Sequence, residues 1–353
     1  MTRIDLNRLD SDLERLVDRG LDAEGFRREA MARLLRAVPA DGHCCSVVDP
    51  GTLVMTSHVT EGVPRAEAWR IYRNEYAQDD VSKHADLATG NRPVRILHRE
   101  TAGDPSASPR YRDVIRPMGM EHELRAAAID AGATWGFIHL FRAPGARPFD
   151  ADEEAVVARA SRRVAAGIRA AGLAGALGLA DVADTPGMIL IDPRGRVRML
   201  SGLAESWLAA LTDSELPAGS VPDVLVTLAE WAGELARRGA HGAAARARVR
   251  GAGGRWWTLH ASCPTWTDGE RGEVVVIVQP VAGAQLAGLW MQALGFTPGE
   301  RQVLDLVLAG RSTKEIASGL HLSPWTVQDR LKGVFARAGV RSRRELVARL
   351  TGA

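Results

Sequence analysis

The chain has 353 residues, of which 46% are hydrophobic and 25% are charged, as in an ordinary globular protein. At roughly 100–200 residues per domain, this length indicates two or three domains. No apolar run approaches the roughly 20 residues of a membrane helix, and the polar N-terminus lacks the apolar core of a secretory signal. Three cysteines are too few for a disulfide framework, so we expect a protein of the reducing cytoplasm, with no membrane partner.

Charge is distributed unevenly along the chain. Residues 290–353 carry ten lysines and arginines against five acidic residues, a net charge of +5, whereas the other residues carry 35 against 38, a net charge of −3. A small basic segment behind a nearly neutral body predicts a polyanionic partner for that segment. Charge alone does not distinguish DNA binding from a solvated basic surface.

The first half of the chain mixes short strands with helices. Apolar residues recur with helical spacing over residues 5–38. Two strand-like runs, Ser46–Asp49 and Leu53–His58, flank a Pro-Gly turn and predict a hairpin. The further elements are a helix at 66–76, strands at 93–97, 123–130 and 135–142, and a long helix at 150–171. This mixture predicts an α+β domain over residues 1–172.

A second strand-rich segment follows a stretch rich in glycine and alanine. We expect a linker at 173–187. The elements beyond it are strands at 188–192, 197–200, 256–262 and 273–279, and helices at 203–211 and 225–238. The order strand, strand, helices, strand, strand predicts a second α+β domain with an antiparallel sheet at 188–282.

Helix boundaries are most legible at the C-terminus. Thr297-Pro-Gly-Glu300, Ser312-Thr-Lys-Glu315 and Ser342-Arg-Arg-Glu345 are capping boxes, and Ser323-Pro324 is a cap followed by a first-turn proline. The predicted helices are 298–309, 313–320, 324–338 and 343–351. The second and third are separated by three residues, which is typical of a helix-turn-helix.

The third of these helices has one apolar and one polar side. At 100° per residue, Val327, Leu331, Val334 and Ala338 share the apolar side. The opposite side presents Trp325, Gln328, Asp329 and Lys332. Together with the short turn and the basic charge, this polar face predicts DNA binding. The alternative is a helical interaction domain, because any amphipathic surface helix has a polar outer face.

Three motifs resemble the LuxR-type helix-turn-helix domain. They are Phe296-Thr-Pro-Gly-Glu-Arg-Gln-Val-Leu304, Gly310-Arg-Ser-Thr-Lys-Glu-Ile-Ala317 and Leu322-Ser-Pro-Trp-Thr-Val-Gln-Asp-Arg-Leu-Lys332. The resemblance covers about 295–351 and implies a four-helix domain that binds double-stranded DNA. In that family the third helix enters the major groove and the fourth mediates dimerisation on DNA. Carried over by position, the base-reading residues are Trp325, Gln328, Asp329 and Lys332, and the phosphate-facing residues are Thr313, Lys314, Ser323, Thr326, Arg330 and Arg337. The dimer contacts are Leu346, Arg349 and Leu350.

One of these assignments has two interpretations. Trp325 and Arg330 stand where relatives often have histidine. Trp325 either contacts a thymine methyl group or covers the start of its helix, and the sequence does not separate the two.

The front part resembles two sensor domains in turn. The first of them resembles a GAF-like domain in three motifs, which are Gly119-Met-Glu-His-Glu-Leu-Arg125, Trp135-Gly136 and Pro148-Phe-Asp150. The second resembles a PAS-like domain in two motifs, which are Ile189-Leu-Ile-Asp-Pro-Arg-Gly195 and Trp257-Thr-Leu-His-Ala-Ser262. The resemblance implies antiparallel sheets with helices on one side, each cupping a small-molecule cavity. The expected fold is therefore multidomain, with GAF-like and PAS-like α+β domains before an all-α helix-turn-helix domain at 290–353.

One aromatic stretch is a candidate ligand pocket. Trp69, Tyr72, Tyr76 and Asp79 have a spacing similar to the acyl-homoserine-lactone pocket of quorum sensors. Trp and Tyr would donate hydrogen bonds to carbonyl groups, and Asp would accept one from an amide. The alternative is the packing of an amphipathic helix, because residues 69, 72 and 76 also share one helical face.

No pattern of residues indicates catalysis. The sequence has no phosphate-binding loop, its histidines are scattered, and no nucleophile–base pair or pair of carboxylates stands at a recognisable spacing. We therefore expect no cofactor, no metal and no enzymatic activity. The expected protein is a cytoplasmic, homodimeric DNA-binding regulator controlled by an unidentified signal, with a protein partner for the front domains as the alternative to a small molecule.

Overall fold

The computed structural model describes residues 6–64, 68–173, 186–192, 195–211, 221–240, 245–251, 256–264, 273–281, 287–288, 291 and 294–351. These residues fall into two compact units, one with both sheets and one with the C-terminal helices. The expected linker at 173–187 lies almost wholly outside the described residues. Among the helices described, none combines the length and apolar character needed to cross a bilayer.

The first sheet has five strands in the order β2-β1-β5-β4-β3. The predicted hairpin is confirmed, because β1 and β2 pair antiparallel with His43 opposite Glu61. The strands are β1 (Gly42–Val48), β2 (Met55–Glu61), β3 (Val94–Ile96), β4 (His122–Asp130) and β5 (Ala133–Arg142). The helices are α1 (Leu6–Val17), α2 (Ala23–Ala37), α3 (Ala68–Ala77), α4 (His84–Thr89), α5 (Leu97–Glu100) and α6 (Ala151–Leu173).

Helices cover both faces of this sheet, whereas the resemblance implied one. An added Cβ at Gly136 would lie 3.2 Å from Ile168 Cδ1 of α6, so Gly136 faces α6. The next residue, Phe137, stacks on His84 of α4 with 3.7 Å between the ring centroids. Successive strand residues point to opposite faces, so α6 and α4 lie on opposite sides. This is why β5 is buried along nearly its whole length.

The α2–α6 contact depends on a glycine. A Cβ added at Gly167 of α6 would overlap the ring of Phe26, which is itself buried. We expect Gly167→Ala to destabilise this unit by about 1–3 kcal/mol, the usual range for overpacking a core. Urea denaturation measures the effect.

A glycine five residues further along α6 supplies the control. Gly172 has nothing within 4 Å of an added Cβ. Alanine there replaces the poorer helix former, so Gly172→Ala should be neutral or stabilising by up to about 1 kcal/mol. Equal effects of the two substitutions would contradict the packing role of Gly167.

The second sheet has the order β7-β6-β10-β9-β8. Its core contains Trp207, Leu228, Leu259 and Val276, all fully buried. The elements are β6 (Gly187–Ile191), β7 (Val197–Leu200), α7 (Gly202–Leu211), α8 (Asp223–Arg237), β8 (Ala245–Arg250), β9 (Trp256–Ser262) and β10 (Val274–Pro280). The expectation of a second antiparallel α+β unit is confirmed. Strand β8 was not predicted, because its buried positions are small or β-branched residues between arginines.

Within the described part of the C-terminal unit, four helices begin where the caps predicted. They are α9 (Pro298–Leu308), α10 (Thr313–Gly319), α11 (Pro324–Ala338) and α12 (Arg343–Thr351). Two capping boxes form reciprocally, with Thr297 Oγ1 and Ser312 Oγ accepting from the backbone N–H groups of Glu300 and Glu315. The third box is half formed, because the Glu345 carboxylate accepts from Arg341 N and not from Ser342 N.

Candidate DNA-binding helix and sensor cluster

The turn between α10 and α11 is short and sharply bent. His321 has a φ of 53°, and Leu322 N donates to Ala317 O at 2.9 Å. The next residue, Ser323, caps α11 by accepting from Thr326 N at 3.0 Å. Ile316 of α10 is fully buried, so α10 and α11 are held by apolar packing behind the turn. This is the geometry of a helix-turn-helix.

Helix α11 presents the predicted polar face to solvent. Val327, Leu331, Val334 and Ala338 are buried on the opposite side. The four residues predicted to read bases are all exposed: Trp325, Gln328, Asp329 and Lys332. Trp325 is 76% exposed, which is unusual for tryptophan in the absence of a partner. It therefore does not bury its ring against the start of its own helix.

The residues predicted to face phosphates differ in their surroundings. Lys314, Ser323 and Arg337 are exposed, and Thr313, Thr326 and Arg330 are half-buried. Arg330 Nη1 donates to Gly299 O at 3.3 Å, and Arg337 pairs with Glu300 at 3.3 Å. Both arginines therefore contact the first turn of α9. A guanidinium has five N–H donors, so each retains donors for a further acceptor.

The predicted dimer residues lie partly inside the unit. Leu346 and Leu350 have no exposed surface, and Arg349 is half-buried. These leucines hold α12 on the rest of the C-terminal unit. Val347 and Ala348, between them in sequence, keep part of their surface exposed.

The first sheet carries a buried ionic cluster on the face that α3 and α4 cover. Arg125 on β4 is 1% exposed and donates to Ser82 O at 2.7 Å, to Glu75 Oε2 at 2.8 Å and to His84 Nε2 at 3.3 Å. Glu123, two residues before it, lies 3.6 Å from Arg125 Nε. Burial opposes the charge on Arg125, but Glu75 and Glu123 outweigh burial and raise its pKa. The cluster fixes α3 and the start of α4 on β4.

A second arginine extends the cluster. Arg110, at the start of a π-helical turn, donates to Glu123 at 3.0 Å and to Val81 O at 3.1 Å. Its backbone N–H donates to Asp80 Oδ2 at 2.7 Å, and the same oxygen accepts from Asn74 Nδ2 at 2.8 Å. These bonds hold down the segment between α3 and α4.

Two histidines face each other at the centre of the cluster. His84 Nε2 and His139 Nε2 are 3.1 Å apart, and Arg125 donates to the same His84 nitrogen. An arginine can only donate, so His84 Nε2 is an acceptor and His139 supplies the N–H. The proton of His84 is then on Nδ1, 3.6 Å from Glu75. Burial first, and Arg125 second, place both histidine pKa values well below the usual 6.5.

These histidines predict a pH dependence of stability. The unfolded chain takes up a proton on each histidine below about pH 6.5, whereas the folded chain does not, so stability is lost as pH falls. For two histidines we expect a loss of about 2.5 kcal/mol between pH 7.5 and pH 5.5. Urea denaturation across this range measures the slope. The lowered pKa values of His43 and His260 add to the slope in both proteins, so His139→Gln should remove the share of one histidine, about 1.3 kcal/mol. An unchanged slope in that variant would contradict the assignment.

The candidate pocket residues lie on α3 or, for Asp79, just after it, and they have separate surroundings. Tyr76 donates to Leu53 O at 3.2 Å and accepts from Met55 N at 3.1 Å, so its hydroxyl ties α3 to β2. Tyr72 is 3% exposed, and its hydroxyl bonds to Asp223 of α8. Asp79 is exposed. Trp69 lies in α3, and its side chain is outside the described residues.

Sequence reasoning missed the cluster and its acids. Glu123 and Arg125 stand two residues apart on one strand, which places both on one sheet face. The available signal was this pair of charged residues in a strand whose neighbouring positions, Leu124 and Ala126–Ile129, are apolar. Within the described ranges, no group of three or more His, Cys, Asp or Glu residues is arranged to hold a metal ion.

The fold and this helix face together define a DNA-binding domain of the helix-turn-helix class behind α+β sensor domains. Residues 295–350 match the family of bacterial regulatory proteins of the luxR type, and residues 22–168 match the GAF domain. The chain therefore carries a luxR-type helix-turn-helix domain and, earlier in the sequence, a GAF domain. The matched family is one of regulatory proteins, as expected, and not one of enzymes.

Curated relatives are of the same kind but much longer. HTH-type transcriptional regulators of Mycobacterium bovis and Mycobacterium tuberculosis are 27% identical over an alignment 180 residues long, which covers 44% of this chain. The matched part is only 20% of each relative.

Solved structures give weaker similarities. A GAF domain of a Coxiella burnetii phosphoenolpyruvate-protein phosphotransferase is 19% identical, with a TM-score of 0.36 over 50% of this chain and 100% of that one. Escherichia coli SdiA is 13% identical, with a TM-score of 0.31 over 95% and 93%. A Vibrio cholera VqmA–ligand–DNA complex is 14% identical, with a TM-score of 0.22 over 47% and 80%. At such TM-scores no ligand or mechanism transfers to this chain.

Proposed function

We propose that this protein is a cytoplasmic transcriptional regulator that binds double-stranded DNA in a sequence-specific way, under the control of a signal received by its front domains. The observation that carries the proposal is the exposed face of α11, where Trp325, Gln328, Asp329 and Lys332 stand side by side on a helix whose other side is buried. A helix of 15 residues with these groups fits the major groove.

The residues around α11 supply the contacts that orient it. Lys314 lies in the first turn of α10, the helix that crosses the DNA backbone in this class of domain, and Ser323 and Thr326 lie at the start of α11, where their hydroxyls would face phosphate. Arg330 and Arg337 contact α9 through one edge of each guanidinium, and their free donors would meet phosphate. Such contacts give affinity and a salt dependence but no sequence preference.

Binding as a homodimer fits this mode. Two recognition helices related by a two-fold axis read two half-sites one helical turn apart. We propose that α12 forms the dimer contact on DNA through its Arg349 side and the partly exposed Val347 and Ala348. Leu346 and Leu350 support that surface from beneath, because they are buried in the unit.

The signal would act on the GAF domain. Tyr72 and Tyr76 lie on α3, next to the buried ionic cluster, and remain the candidate contacts for a small-molecule ligand, with Trp69 and Asp79 at the ends of that stretch.

Genome-wide DNA footprinting with the full chain tests the proposal. We expect a small set of sites with a two-fold symmetric consensus, and loss of those sites in a Gln328→Ala/Lys332→Ala variant. Gln302→Ala on α9 is the matched control and should keep them. Uniform coverage by the wild type, or the same sites in the double variant, would contradict sequence reading by α11.

An exposed apolar surface favours a protein partner as the second candidate. Met188 and Ile277 are direct neighbours across β6 and β10, and Met199 lies near them, each about 40% exposed. Apolar patches on a sheet often mark protein contacts. Native mass spectrometry of the purified protein distinguishes a small-molecule signal from a protein partner. A co-purified small molecule would favour the first, whereas a stoichiometric second protein without any small molecule would favour the second.

A further inference from the structure

The two sheet-containing domains touch mainly through one helix of the second domain, and strand β8 adds further contacts. Helix α8 lies along α3 and β2 of the GAF domain, and both domains belong to a single compact unit. The apolar cores are continuous as well, because Val54, just before β2, is fully buried in the core of the second domain. This contact is not what two independent domains on a linker would show.

A buried ion pair joins the domains at one end of the contact. Asp49 follows β1 in the GAF domain, and its side chain has no exposed surface. Its carboxylate accepts from the backbone N, from Nε and from Nη2 of Arg248 on β8, the last at 2.6 Å. It also accepts from Gly51 N at 3.0 Å. The pair links residues 199 positions apart, and a buried carboxylate without it would lack its counter-charge.

Asp223 makes the other connection. It is the first residue of α8, where a carboxylate is favoured by the helix dipole. It lies 2.8 Å from His58 Nδ1 of β2, and the Tyr72 hydroxyl bonds to it. Arg250 Nη1 adds a third tie, by donating to Ala171 O in the last turn of α6 at 2.7 Å.

Helix α3 connects this junction to the buried ionic cluster. Tyr72 and Glu75 are three residues apart, one turn of the same helix. Tyr72 reaches Asp223 of the second domain, whereas Glu75 pairs with Arg125 inside the GAF domain. If a change at the buried ionic cluster shifts α3, the Tyr72 hydroxyl therefore moves relative to the Asp223 carboxylate.

We propose that two contacts, the Asp49–Arg248 ion pair and the contact of Asp223 with Tyr72 and His58, make the two sheet-containing domains unfold as one cooperative unit. We call these two contacts together the latch. Through α3 and α8, a structural change at the buried ionic cluster of the GAF domain would then reach the second domain. The latch depends on these contacts alone, whereas its use in signalling rests on the proposed function.

Pulsed hydrogen–deuterium exchange of the full chain in increasing urea tests the latch. In the wild type, peptides from β5 and from β10 should lose protection at one shared midpoint. In Arg248→Met the midpoints should separate, with β10 unfolding at lower urea. Arg196→Met, which breaks an Arg–Asp pair inside the second domain, should leave them joined. Separate midpoints in the wild type, or joined midpoints in Arg248→Met, would overturn the proposal.

A milder variant covers the case in which Arg248→Met does not fold. Tyr72→Phe removes only the hydroxyl that bonds to Asp223. We expect faster exchange in the first turns of α8, with β4 and β9 unchanged, and an unchanged exchange pattern of α8 would count against the Asp223 contact. Neither readout involves DNA or a ligand, so failure of the regulatory function and failure of the latch are seen separately.

Discussion

Arg125→Met is expected to lower the free energy of unfolding of the sensor unit by about 3–5 kcal/mol, the cost of removing one partner from a buried ion pair. Arg125 is 1% exposed and faces Glu75 and Glu123, both also buried. Methionine keeps the length of the stem but leaves two carboxylates without this counter-charge. Urea denaturation at pH 7.5, followed by circular dichroism, measures the loss.

An exposed ion pair gives the control for this substitution. Arg163 of α6 pairs with Asp10 of α1 at 3.0 Å, but its side chain is 35% exposed. Because solvent screens such a pair, Arg163→Met should cost no more than about 1 kcal/mol. Similar losses in the two variants would mean that the cluster is worth no more than surface electrostatics.

The same cluster shows where prediction from sequence ends. His84 and His139 are 55 residues apart, and Glu75 and Arg125 are 50 apart. Nothing local in the chain states that these residues meet, because the meeting depends on strand order and on which helix covers which face. Strand β8 was missed for a related reason, since its place is set by pairing with β9 and not by its own composition.

The C-terminal unit was predictable because its signals are local. A cap such as Ser323 and the first-turn Pro324 fix where α11 begins, and the 100° period then fixes which side is buried. The 100° period separates buried from exposed positions. It does not show whether a buried residue packs within its own domain or against a partner subunit. The resemblance to the LuxR-type domain placed Leu346 and Leu350 at a dimer contact, whereas in the structure both are buried within the unit.

Asp329→Ala is expected to relax the base preference at one cytosine per half-site, while affinity for unrelated DNA rises. Asp329 is exposed on α11 beside Gln328 and Lys332. A carboxylate near DNA is repelled by the phosphates, but it is tolerated where it accepts a hydrogen bond from cytosine N4. A contact of this kind gives about 1–3 kcal/mol of discrimination, roughly 5- to 150-fold in affinity. Selection from a randomised operator library, wild type against variant, measures it.

Arg330→Ala supplies the contrast, because it removes a charge next to Asp329 without removing a base reader. Its guanidinium contacts Gly299 O at the start of α9 and would meet phosphate with its remaining donors. We expect weaker binding to all sequences alike and a salt slope smaller by about one unit, with the consensus unchanged. If Asp329→Ala also leaves the consensus unchanged, Asp329 only orients its basic neighbours, and sequence reading falls to Gln328, Lys332 and Trp325.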